Sequence, residues 1–147
     1  MCHPGGVPFT YFAHQVPVLP LKSRWPDRWD GLGLVVGSIV PDLHYVTSGW
    51  VFGPFGIPLW SDGHRLDLIV QNCVLPGLVL TVLLRRALPT VAPALHDLGP
   101  AHVRDLALIG RARHRWWVTA LSVFVGALTH LLIDGVTHAP GMWPLQY

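Results

Sequence analysis

The sequence predicts an all-α, integral-membrane helical bundle: one domain over residues 1–147, with two long spans plus short interfacial or re-entrant helices. Three observations carry that expectation. Of the 147 residues, 51% are hydrophobic and only 12% are charged, against roughly a quarter charged in ordinary soluble domains. Two stretches, Leu66 to Leu84 and Trp116 to Ile133, are long and apolar enough to cross a hydrocarbon core of about 30 Å. The segment between them is basic, and it ends in paired tryptophans that suit a membrane interface. Mean hydropathy is +0.43. The alternative for the two long stretches is a pair of buried helices in a soluble bundle, for which Asp67, Gln71 and Asn72 speak most strongly.

Residues 1–7 read as a flexible leader. Thr10 is placed to cap a short helix that carries His14 and that Pro17 interrupts. Lys22 to Asp30 is a polar connector bearing Trp25 and Trp29. Gly31 to Val40 is apolar but half the length of a span, and Pro41 marks Val40 as its boundary. Val46 to Trp60, rich in glycine, proline and aromatic residues, is too broken for a long helix.

Ser61 to Arg65 forms a turn into the first long stretch. There His64, Asp67 and Gln71 follow three-and-four spacing and predict a polar stripe facing inward. Arg85 and Arg86 stop that stretch, and residues 85–115 form a basic loop with a short amphipathic helix around His102 to Ile109. The loop holds six arginines against two aspartates, a net of +4. In the second long stretch Thr119, Ser122, Gly126 and His130 share one face, whose small residues suit close helix packing.

Chemistry concentrates at the end of that second stretch. His130 and Asp134 are four apart and so share a helical face, and His138 follows one turn later, though Gly135 offers an earlier stop. An imidazole and a carboxylate are costly to bury unpaired, so a metal ion or a plain His–Asp hydrogen bond must satisfy them. With His14, Asp42 and His64 they form a ligand set of the kind that holds zinc, manganese or non-haem iron. If the two long stretches are antiparallel, His64 lies at the end of Asp134 and His138, away from the basic loop. Asp42 then joins them provided that residues 31–60 do not cross. Lys22, Arg24, Arg28 and Arg65 then sit opposite the basic loop and dilute the charge bias.

Other chemistry lacks its motifs. No G-x-S-x-G, P-loop or dinucleotide fingerprint occurs, and Cys2 and Cys73 form no CxxC pair. The cluster Arg111, Arg113 and Arg115 stands directly before Trp116. That position points to anionic lipid headgroups rather than nucleic acid.

Pro8-Phe9-Thr10 with His14, then Val18-Leu19-Pro20-Leu21, then Gly37-Ser38-Ile39-Val40-Pro41-Asp42 resembles the opening of a bacterial family of uncharacterised membrane proteins, domain-of-unknown-function family 4184. Leu66 to Leu84, with its central Pro76, and His130 to His138 are similar to later parts of that family. More distantly, the order His, Asp, His, His-x-x-x-Asp is similar to that of membrane-bound metal-dependent hydrolases and zinc-dependent phospholipase C. That likeness implies metal ligands at His14, Asp42, His64, His130 and Asp134. The chain departs from its family at Gln15, where proline is usual, and at Arg65, where serine is usual. Members also usually continue with further hydrophobic helices, and they open on Met before Pro-Phe-Thr. A truncated member and a true start at Val7 are therefore expected.

These readings converge on a multi-pass cell-membrane protein with a divalent metal, zinc first, held by His14, Asp42, His64, His130, Asp134 and His138. Hydrolysis of a phosphoester or lipid-linked substrate is the chemistry such a site would support. The rival is a non-enzymatic membrane component that uses the same residues for helix packing or proton passage.

Overall fold

The computed structural model describes residues 15–50, 66–95 and 103–137, and among them every regular element is helical. The helices are α1 (Leu19–Arg24), α2 (Gly31–Trp50), α3 (Leu75–Val91), α4 (Leu106–Arg111) and α5 (Trp116–Thr137). Short 3-10 turns at Leu66–Leu68, Ala92–Ala94 and Val103–Asp105 and a π-helical turn at Val70–Val74 flank them. Two helical stretches, Val70–Ala94 and Trp116–Val136, are long and apolar enough to cross a membrane. The expected pair of long apolar helices is thus present. The leader 1–7 and the short helix near Thr10 lie outside the described residues.

α2 and α5 run parallel and touch along their small residues. A Cβ on Gly37 would sit 2.2 Å from the Val123 carbonyl oxygen, and one on Gly126 would sit 2.3 Å from that of Leu34. No side chain fits between the two backbones at either point. Gly33 and Gly37 form a G-x-x-x-G pair, whose missing side chains let helices approach this closely. The expected small-residue face of α5 is the contact face: Thr119, Ser122, Gly126 and His130 are all buried.

Polar contacts set the register at the start of both helices. Asp30 caps α2, its Oδ1 accepting the Gly33 N–H at 3.3 Å. Its own N–H donates to Ser122 Oγ at 2.9 Å, and Thr119 donates to its Oδ2 at 2.7 Å. Arg85 of α3 donates to that same Oδ2 and forms an ion pair with it. Burial alone raises the Asp30 carboxyl, but the Thr119 hydroxyl, the Arg85 guanidinium and the Gly33 N–H together hold it below its ordinary value.

α3 runs antiparallel to both partners, with Arg85 at their starts and Gly77 against Val123 and Val40 midway. The hydrophobic core joins Val36 and Val40 to Ile69, Cys73, Ala127 and Leu131. Outward, α3 and α5 expose Leu75, Val79, Val82, Leu83, Leu121 and Leu132. The bundle thus exposes many apolar side chains besides burying a hydrophobic core and several polar groups.

Several expected boundaries move. α2 does not end at Val40 but continues through Pro41 to Trp50, so residues 46–50 are helical as well. Pro41 forfeits one backbone donor, but its ring is fully buried, and beyond it α2 carries Asp42 to His130. Arg85 and Arg86 do not stop the first long helix, which runs on to Val91 and takes residues 85–91 out of the basic loop. The Arg85 charge is held by Asp30 rather than by water. α5 continues past Gly135 to Thr137.

The stripe predicted at Asp67 and Gln71 faces outward, and Asn72 is the buried residue. The wider π-helical turn at Val70–Val74 shifts the helical phase there. His64 of that stripe is outside the described residues.

The charge arrangement also changes. Because α2 starts beside α5, the connector with Lys22, Arg24 and Arg28 lies at the basic-loop end, not opposite it. Lys22 fixes it there, donating to the Pro26 and Trp29 carbonyls at 2.6 and 2.9 Å. Every described lysine and arginine is therefore at one end, and the remaining one, Arg65, is outside the described residues.

Two substitutions test this packing. Gly37→Ala meets backbone and is expected to destabilise by roughly 1–3 kcal/mol or more. Gly77→Ala meets side chains only, Val123 at 2.5 Å and Val40 at 3.5 Å. It should cost less than Gly37→Ala in detergent thermal unfolding, because side chains yield more readily than backbone. Asp30→Asn leaves Arg85 without its counter-charge and should cost about 3–5 kcal/mol, with part of the loss recovered by adding Arg85→Met. The Asp30 contribution is present at neutral pH and fades as the pH falls through its depressed folded value. Acid unfolding of wild type and Asp30→Asn should accordingly converge.

Candidate metal centre

The parallel course of α2 and α5 brings Asp42 beside His130 and Asp134. Ser38 and Asp42 are four apart on α2, as are His130 and Asp134 on α5, so each helix presents two groups one turn apart. His130 is fully buried, while the Asp42 and Asp134 side chains each keep 15% of their surface exposed. The cluster therefore sits at the edge of the bundle interior, with its carboxylates partly exposed.

The imidazole is fixed at both nitrogens. Nδ1 lies 2.8 Å from the Ser38 carbonyl oxygen. A carbonyl can only accept, so Nδ1 carries the proton and Nε2 of the neutral ring presents its lone pair. Nε2 lies 3.2 Å from Asp134 Oδ2 and 3.4 Å from Asp42 Oδ1. A lone pair facing two carboxylates requires a positive charge among them, either a second ring proton or a cation.

The geometry serves both. A protonated Nε2 is in ion-pair range of the two carboxylates at 3.2 and 3.4 Å. Two ligands of one tetrahedral zinc, each about 2.0–2.1 Å from the ion, lie roughly 3.3 Å apart. The three ligand atoms lie within 4.8 Å of one another, and a histidine held at its far nitrogen by a backbone carbonyl is the usual outer-shell support of a metal ligand. One imidazole and two carboxylates fit a divalent ion and leave coordination positions open.

Of the six expected ligands, Asp42, His130 and Asp134 come together in this way. His14, His64 and His138 lie outside the described residues. The basic end, with Arg111, Arg113 and Arg115, is at the opposite end of the helices.

Two features went unread in the sequence. The Ser38 carbonyl is a backbone group with no side-chain signal. The Asp30, Arg85, Thr119 and Ser122 network joins residues from three distant segments. A signal for it did exist in Gly33-x-x-x-Gly37, which marks a second close-packing face to match that of Gly126.

The description Domain of unknown function (DUF4184) matches the chain over residues 7–146. No curated protein and no solved structure matches it.

Proposed function

The chain belongs to the DUF4184 family, whose description assigns no activity, and we propose that it is a multi-pass membrane protein with a divalent-metal site for hydrolysis at one membrane face. Asp42, His130 and Asp134 hold the ion, which is zinc by its donor set. The observation that carries this reading is the His130 Nε2 lone pair set 3.2 and 3.4 Å from two carboxylate oxygens while Nδ1 is committed to Ser38.

The two carboxylates neutralise the charge of a divalent ion, and the Ser38 carbonyl keeps the imidazole in its ligating tautomer. Such an ion supplies Lewis acidity and an activated water when bound. The part-exposed carboxylate side gives a substrate access from one face only. A phosphoester or lipid-linked substrate suits a centre placed where helices meet a membrane surface. In the second reading the positive charge is a proton on Nε2, and the cluster passes protons.

Metal analysis of the detergent-purified protein decides between them. Near-stoichiometric metal is expected in the wild type and none in His130→Ala combined with Asp134→Asn. A wild type that stays metal-free after supply of zinc, manganese and iron sinks the metal reading and leaves the proton-carrying one.

The apolar exterior supports the membrane reading, since Leu75, Val79, Val82 and Leu83 of α3 are exposed and suit lipid. α2 runs parallel along α5, from Asp30 beside Thr119 to Asp42 beside His130, over most of the length of that apolar helix. We therefore count it as a third crossing, with residues 15–30 and the basic loop on the cytoplasmic side. In a background lacking Cys2 and Cys73, single cysteines at positions 23 and 100 should label from one side and one at position 63 from the other. Labelling of 23 together with 63 refutes the α2 crossing, and equal labelling of all three from one side points to a soluble bundle.

A further inference from the structure

A cavity of about 710 Å³ opens at the end of the bundle far from His130. It forms where the connector before α2 meets the start of α5, and it plays no part in the metal centre. Trp25, Arg28 and Trp29 line one wall; Arg113, Arg115 and Trp117 line the other. Asp27 and His114 complete the polar lining. With the histidine neutral, three arginines face one aspartate, a net of +2. Arg28, Arg113 and Arg115 form no ion pair among the described residues, unlike Arg85, which is neutralised by Asp30. Arg111, grouped with them by sequence, is not part of the lining.

The remaining wall is apolar. Val118 and Leu121 continue the cavity along α5, where Trp117 and Leu121, one helical turn apart, are 48% and 46% exposed. Cationic and aromatic groups lining one cavity and an apolar track down an outward helix face together match an amphiphile with an anionic head. We infer that this cavity binds an anionic phospholipid, its phosphate held by Arg28, Arg113 and Arg115 and its acyl chain laid along Trp117 and Leu121. A free phosphate would use the arginines but leave the apolar track unfilled. The inference rests on the membrane reading above, not on the metal centre.

Tryptophan fluorescence of the full-length protein in mild detergent tests it, independently of topology and metal content. Phosphatidylglycerol carrying brominated acyl chains should quench saturably, and brominated phosphatidylcholine should not. Inorganic phosphate should compete only weakly. Each of Arg28→Gln and Arg113→Gln should weaken phosphatidylglycerol binding about fivefold, whereas Arg104→Gln, outside the lining, should leave it unchanged. If the charge variants do not fold, Trp25→Phe keeps every charge and should lose part of the quench. Equal quenching by both lipids, full competition by phosphate at the same concentration, or an undiminished quench in Trp25→Phe would overturn the proposal.

Discussion

The contact on which the rest depends is the meeting of α2 and α5 backbone to backbone at Gly37 and Gly126. Because neither position carries a side chain, the axes come close enough for Ser122 and Thr119 to reach Asp30 at one end. At the other end the same closeness lets His130 reach the Ser38 carbonyl. A larger residue at Gly37 would push Val123 away and separate both polar groups at once. The polar contacts in turn fix the register. Sliding one helix by a residue would take Asp30 off Thr119 and Asp42 off His130 together.

The helix pair also divides the molecule into two chemically different ends. At the end where α2 and α5 begin, arginine dominates and the aspartate nearest the axis is neutralised by Arg85. At the other end, two carboxylates face an imidazole and no described lysine or arginine lies nearby. Positive and negative charge are thereby separated to opposite ends of the described bundle. The helices between carry neutral polar groups, such as Thr81, whose hydroxyl donates to the Gly77 carbonyl at 2.7 Å.

Much of this was legible in the residues because it is local. Apolar length announced α3 and α5, and four-residue spacing placed His130 beside Asp134. The small residues at 119, 122 and 126 announced the packing face. What escaped reading depends on contacts distant in sequence. Pro41 is a stop signal in isolation, yet α2 runs through it with the ring fully buried. Arg85 reads as a helix terminator until Asp30 is seen to hold its charge. The direction of α2 was the decisive unknown. Once it runs parallel with α5, Asp42 arrives beside His130 and Asp134, and the connector arginines fall at the basic-loop end.

The parallel pairing of α2 with α5 also sets an order of events during synthesis. Parallel neighbours cannot be joined by a tight turn, and here α3 carries the chain back between them. Ser38 and His130 are 92 residues apart, so at about 5–20 residues per second α2 waits roughly 5 to 20 s for its partner. Throughout that interval Asp30, Asp42 and the glycine face of α2 have none of their α5 contacts. Completion of α5 is thus what closes the bundle and brings Asp42, His130 and Asp134 together. A chain halted before residue 116 would leave Asp30, at the start of α2, and Asp42, past its middle, without their α5 partners at once.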